Sequence, residues 1–128
     1  MDNSAISVLI VDDEPAIRDS LQDYLEDYEF RVTAVDSSET AMEVLASERH
    51  DILIVDLRLP GISGETLILE SHERYPGIKF ILHTGSVDYQ LSAELQSIGI
   101  RSEHILLKPA TDLTEIVNLI IKLVNLDG

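Results

Sequence analysis

Asp12, Asp13 and Glu14 stand in a row directly after the apolar run Ser7–Val11. Asp56 ends a second run, Ile52–Asp56, Thr84 ends a third, Ile78–Thr84, and Lys108-Pro109 follows His104–Leu107. Lysine is otherwise found only at 79 and 122. Carboxylates gathered on one rim repel, each pair costing about 4 kcal/mol at ~4 Å and an effective dielectric of ~20. A hard divalent cation with oxygen ligands offsets that repulsion. Mg²⁺ suits the set better than Ca²⁺, because the protein ligands are few and Mg²⁺ shares one or two carboxylates with a phosphate. Lys108 would then supply a point charge to a phosphoryl oxygen, and Thr84 a hydroxyl hydrogen bond. The chemistry that needs this set is phosphoryl transfer onto a carboxylate nucleophile.

Taken singly, most of these residues have ordinary explanations. Acids favour helix N-termini, and threonine suits a strand. Asp56 is the exception, since a carboxylate closing an Ile-Leu-Ile-Val run has no solvated face to explain it. What sets them apart is the coincidence of all of them at one rim.

That rim exists only if the intervening segments put every run in parallel. Pro15 suits the first turn of a helix that continues through Ile17, Leu21, Tyr24, Leu25 and Tyr28. Arg31–Val35 reads as a strand, followed only by Asp36. Ser37 or Ser38 can cap a helix carrying Ala41, Val44 and Leu45. After Asp56, Pro60-Gly61 and Gly64 mark a loop, and a helix runs from about Glu65 to Tyr75. A fourth helix is expected over Tyr89–Ile98 with Gly99 at its C-terminus. Asp112 and Glu115 form a capping box for a last helix that buries Leu113, Ile116, Val117, Ile120 and Val124. Five strand–helix units predict a three-layer, doubly wound α/β domain with a parallel sheet of order 2-1-3-4-5. In such folds ligands bind outside the carboxyl ends of the strands, where the order reverses.

Composition narrows the setting. The 128 residues fit one domain, and 45% hydrophobic residues supply a core. A formal net charge of −15 disfavours direct binding to nucleic acid or to an anionic membrane. With no cysteine there is no disulfide, thiolate zinc site or cysteine nucleophile. No apolar run approaches bilayer-spanning length, and the N-terminus is unlike a secretory signal. A soluble cytoplasmic protein is expected.

Asp12-Asp13-Glu14, Asp56, Thr84 and Lys108-Pro109, each placed after its strand, resemble the receiver domain of two-component response regulators. The resemblance spans about residues 6–126 and reads residues 1–128 as a single receiver. It implies that Asp56 is the phosphoacceptor for a phosphohistidine on a sensor kinase or phosphotransfer protein. It implies Mg²⁺ ligation by Asp13 directly, by Asp12 largely through water, and by Asp56 and the backbone carbonyl of Arg58. Lys108 would pair with the phosphoryl oxygens, and Thr84 would swing toward them. The Lys108-Pro109 bond would be cis. The implied role is a switch that catalyses only its own phosphorylation and dephosphorylation. Its output is a downstream protein or fused domain, and a homodimer can form through the fourth helix, fifth strand and fifth helix.

Three features depart from the family pattern. Ile105 stands three residues before the lysine, where Tyr or Phe is usual, with His104 expected on the opposite face of the strand. The stretch from Gly99 to Lys108, with Ile100-Arg101-Ser102-Glu103, is about two residues longer than common. Arg58 and Ser86 occupy variable positions flanking the site. Ile105 and the longer loop keep open a second reading, a receiver-like binding module that does not respond to phosphorylation, against which the intact Asp13, Asp56, Thr84 and Lys108 argue. A phosphohydrolase of the haloacid dehalogenase type would want a second Asp two residues after the nucleophile, where this chain has Arg58 or Glu14. His50, His72, His83 and His104 lack metal-ligand spacing and read as structural. A second apolar stripe on the last helix, Leu119, Leu123 and Leu126, either flanks the core or forms a contact face.

Overall fold

The computed structural model describes residues 3–86, 88–108 and 113–125. Strands β1 (Ser7–Val11), β2 (Arg31–Val35), β3 (Ile52–Asp56), β4 (Lys79–Thr84) and β5 (Ile105–Leu107) form one parallel sheet in the order β2-β1-β3-β4-β5. Helices α1 (Pro15–Asp27), α2 (Ser38–Ser47), α3 (Gly64–Arg74), α4 (Ala93–Ser97) and α5 (Thr114–Asn125) connect and cover it. The expected fold class and strand order are what the chain adopts.

The apolar strands are buried on both faces, and their side chains alternate between two cores. Leu9, Val11, Leu53, Val55 and Leu82 pack with Ala41, Leu45, Leu67, Ile68 and Leu95 beneath α2, α3 and α4. Val8, Ile10, Ile52, Ile54 and Ile81 pack with Leu21, Leu25, Ile116 and Ile120 beneath α1 and α5. Register then lines up the carboxyl ends: Val11 lies opposite Val55, Asp56 opposite His83, and Thr84 opposite Leu107. The ladder runs one step further on two strands, with the Asp12 N–H donating to the Val35 carbonyl at 3.1 Å and the Lys108 N–H to the Thr84 carbonyl at 2.8 Å.

Three elements differ from expectation. α4 is confined to Ala93–Ser97, because Ser92 is extended and its hydroxyl accepts from the Leu95 N–H at 3.2 Å. A residue capping at 92 ends the run that hydrophobic spacing had carried back to Tyr89. The same Ser92 hydroxyl donates to the Glu65 carboxylate at the start of α3. β5 begins at Ile105, because Ser102–His104 closes into a 3₁₀ turn in which His104 Nδ1 accepts from the Arg101 N–H at 3.1 Å. His104 is therefore a buried turn residue and not a strand residue. Leu119 and Leu123 are core, packed with Ile116 and Ile120, whereas Leu113 and Val124, expected to be buried, are only partly so: the buried face of α5 is turned toward Leu119 and Leu123. Pro109 of the expected cis bond, Asp112 of the expected capping box and Leu126 lie outside the described residues. The expected end of α4 is met, with Gly99 at φ 97° and the Ile100 N–H bonded back to the Leu95 carbonyl.

Candidate functional site

Each acidic residue is set by the strand before it. Asp12 leaves β1 into a tight turn, its Oδ1 accepting from the Glu14 N–H at 2.9 Å. Pro15 then opens α1 with its fixed φ. From the next turn of α1, the Arg18 guanidinium donates to the Asp12 carbonyl at 3.0 Å and pins the acidic turn to the helix. Asp56 repeats the device at the end of β3, Oδ1 accepting from the Arg58 N–H at 2.9 Å. Gly64 lets α3 start against that strand end. A Cβ there would lie 2.6 Å from the Asp56 carbonyl and 2.8 Å from Val55 Cγ1.

One carboxylate oxygen from each of Asp12, Asp13, Glu14 and Asp56 lies within 4.8 Å of the others. Lys108 reaches into them from the end of β5. Its ammonium stands 2.8 Å from Asp12 Oδ2, 3.1 Å from Asp56 Oδ2 and 3.1 Å from Glu14 Oε1. The side chains of Asp12 and Asp56 are 2% and 5% exposed and that of Lys108 is 8% exposed, whereas Glu14 is 57% exposed. The buried charges thus neutralise one another more than water does. Burial raises the Asp12 carboxyl above the usual range, against the opposing pull of Lys108. Burial alone would lower the Lys108 ammonium, but its hydrogen bonds to Asp12, Asp56 and Glu14 carry it up to about 12. One ammonium among four carboxylates leaves the cluster strongly negative, and the donors are all hard oxygens. That set fits a divalent cation.

Above the cluster opens a cavity of about 430 Å³, lined by Asp13, Glu14, Asp56, Arg58, Gly85 and Lys108. It is wide enough for a phosphoryl group and its donor. Thr84 is buried at the end of β4, and its Oγ1 accepts from the Ser86 N–H at 3.1 Å. The hydroxyl is thus on the rim but engaged with its own loop. Each candidate site residue, Asp12, Asp13, Asp56, Arg58, Thr84 and Lys108, is on this rim. Asp12, Asp13, Asp56 and Lys108 are brought together, Arg58 meets Asp56 through its backbone, and Thr84 stands one strand over.

Two participants were not legible as such. Glu14 was read only as one of the acids, yet it joins Lys108 across 94 positions of chain. His83, opposite Asp56 in register, is 3% exposed with no hydrogen-bond partner for either ring nitrogen among the described residues. Burial, aided by the Lys108 charge, pushes its imidazole down to about 4, so it is neutral at physiological pH. Its place in the apolar run directly before Thr84 was the signal available for a position near the site. Ile105, at the position where the family pattern usually has a ring, is half-buried against the same core cluster as Tyr89.

Comparison with known proteins agrees with this geometry. The family profile "Response regulator receiver domain" matches residues 8–121. The response regulator protein FleR of Pseudomonas aeruginosa is 38% identical over 94 residues, covering 72% of this chain and 20% of FleR. The hydrogenase transcriptional regulatory protein HoxA of Cupriavidus necator is 35% identical over 101 residues, 78% of this chain and 21% of HoxA. The chain thus spans about a fifth of the length of these relatives. Among solved structures, response regulator TrrA of Thermotoga maritima in complex with Mg²⁺-BeF superposes with a TM-score of 0.80 at 25% identity, over 92% of this chain and 98% of TrrA. TrrA has also been solved in complex with the histidine kinase ThkA, where it matches with a TM-score of 0.79 at 26% identity over 92% of this chain and 97% of that one.

Proposed function

This chain belongs to the response regulator receiver domain family, and on that premise we propose that it is a phosphorylation switch whose acceptor is Asp56. The observation that carries the proposal is the buried Asp56 carboxylate, 3.1 Å from a buried lysine and ringed by three further acids. Few other functions account for an acid this costly to bury, placed under an open cavity.

A sensor histidine kinase or a phosphotransfer protein is the phosphoryl source, in keeping with the ThkA complex of TrrA. A carboxylate oxygen of Asp56 attacks phosphorus, the P–N bond to the donor imidazole breaks, and the imidazole leaves with the bond pair. Asp13, Asp12 through water, Asp56 and the Arg58 carbonyl would hold Mg²⁺, which neutralises charge on the phosphoryl oxygens when bound. The Lys108 ammonium turns from the carboxylates to a phosphoryl oxygen and supports the acyl phosphate. The Arg58 N–H keeps the Asp56 carboxylate oriented for attack. The Thr84 hydroxyl exchanges its bond to the Ser86 N–H for a phosphoryl oxygen, which releases the loop after β4. The same site hydrolyses its own acyl phosphate. The residues present form one receiver, and no external substrate is turned over.

The readout is a changed protein surface around α4, β5 and α5, presented to an output protein, to a fused domain like those implied by the greater length of FleR and HoxA, or to a second copy. The net charge of −15 argues that this domain itself does not contact DNA. Among the described residues no helix is long and apolar enough to cross a membrane, and a cytoplasmic location suits the proposed partners. The test is intact-protein mass after incubation with acetyl phosphate, with and without Mg²⁺, beside Asp56→Asn. A gain of one phosphoryl group that needs both Mg²⁺ and Asp56 is expected. No gain, together with no stable beryllofluoride complex, would instead support the non-responding binding module that Ile105 keeps open.

A further inference from the structure

Glu14 has an unusual position for its residue type. It is the N-cap of α1, at φ −92° and ψ 108°, but its side chain makes no capping hydrogen bond. Residues that cap well are short, and a glutamate is not among the preferred ones. Its carboxylate instead reaches across the mouth of the cavity to Lys108, 3.1 Å away. Pro15 at the next position removes one N–H that a cap would serve, and the Arg18 N–H is already satisfied by the Glu14 carbonyl at 2.9 Å. The side chain is therefore free of local duty and committed to one distant partner.

Lys108 divides its ammonium among three carboxylates. Two of them, Asp12 and Asp56, are buried and fixed by Asx-type turns. Glu14 alone is solvent-exposed and carried on a long side chain. It is also the only one of the three to which the proposed function gives neither the phosphoryl group nor direct or water-mediated Mg²⁺ ligation. When Asp56 is phosphorylated, Lys108 must meet the phosphoryl oxygens in the cavity, whose mouth Glu14 lines. Glu14 competes for the lysine at that step.

We propose that Glu14 is a positioning residue that tethers Lys108 in the unmodified site and sets how readily the lysine transfers to the phosphoryl group. The inference rests on the reading of Asp56 as acceptor and Lys108 as its phosphoryl partner. Losing the tether has two opposite consequences. The lysine engages a phosphoryl-like ligand more readily, and one negative charge near the cation locus is lost. An exposed ion pair shifts equilibria by about two- to fivefold.

The test uses wild type, Glu14→Gln and Glu14→Asp, with thermal melting to confirm that each folds. Mg²⁺ alone is titrated calorimetrically, and beryllofluoride is titrated by ¹⁹F NMR at saturating Mg²⁺. Glu14→Gln is expected to bind Mg²⁺ about two- to fivefold more weakly and beryllofluoride more tightly by a similar factor. Glu14→Asp keeps the charge but is too short to reach Lys108, so it should retain wild-type Mg²⁺ affinity while binding beryllofluoride more tightly. A residue acting only through its charge would weaken Mg²⁺ binding in Glu14→Gln and leave beryllofluoride affinity unchanged or lower, which overturns the tether. If wild type itself takes no beryllofluoride, the acceptor reading falls and the tether with it. That failure is distinct because it is already present before any substitution.

Discussion

The two ends of the sheet solve the same problem in opposite ways. At the carboxyl end, Asp12, Asp56 and Lys108 are buried and hold one another. At the amino end, charged groups are at the surface. There Asp51 caps the Ser7 N–H at 2.9 Å and meets Arg49, whose side chain is 90% exposed, at 3.7 Å. The amino end stores its strain in backbone, with Glu29 at φ 71° closing α1, and not in charge. Among the described residues, four acids are gathered within 4.8 Å of one another at the carboxyl end, where one ammonium offsets only part of their charge. At the amino end the Arg49–Asp51 pair is open to water, which screens it.

The contrast can be broken most severely at Lys108. Lys108→Met leaves three carboxylates without their ammonium, two of them buried, and should cost about 3–5 kcal/mol in urea unfolding without divalent ions. Added Mg²⁺ should restore part of the loss in the variant. Arg49→Ala at the other end should cost no more than ~0.5 kcal/mol.

The next effect comes from His83. Its folded pKa of about 4 lies below its unfolded value of 6.5, so below pH 6.5 the unfolded chain takes up a proton that the native chain refuses. Stability should therefore fall as pH drops from 6.5 toward 4, by on the order of 3 kcal/mol in total. Asp12 works with the opposite sign, since its raised carboxyl gains by protonation as pH falls. Comparing unfolding free energies of wild type and His83→Leu across that window isolates the imidazole, and the variant should show the shallower loss.

Two glycines sharpen the comparison further. Gly64→Ala drives a methyl into the backbone that carries Asp56 and should cost about 1–3 kcal/mol. Gly77→Ala, at the amino end with nothing within 4 Å of its would-be Cβ, should be neutral or stabilise by up to ~1 kcal/mol. A similarly small change is expected of Glu29→Gly, which relieves a left-handed residue and should raise stability by about 1 kcal/mol or less. Thermal denaturation resolves the order of all three.

Why the site was so legible follows from the same contrast. A buried Asp at the end of Ile-Leu-Ile-Val has no innocent explanation, and β-strand period plus parallel order puts such residues on one rim without further information. Lys108 was legible because lysine is scarce and follows a strand directly. What sequence spacing could not show depends on single side-chain contacts, some local and some distant. Ser92 capping Leu95 truncates α4, although the hydrophobic pattern runs on past it. His104 folds into a 3₁₀ turn because its ring bonds the Arg101 N–H. The burial of Leu119 and Leu123 depends on how closely α5 lies on the sheet, a tertiary matter that a helical wheel leaves open. The Glu14–Lys108 contact spans 94 positions of the chain, and no local pattern encodes it.

The central claim is that Asp56, and not its acidic neighbours, receives the phosphoryl group. After treatment with acetyl phosphate and Mg²⁺, borohydride reduction converts an aspartyl phosphate to homoserine, which peptide mass spectrometry locates. The account predicts homoserine at position 56 and unmodified aspartate at 12 and 13. Homoserine at either of those positions, with Asp56 intact, would contradict it.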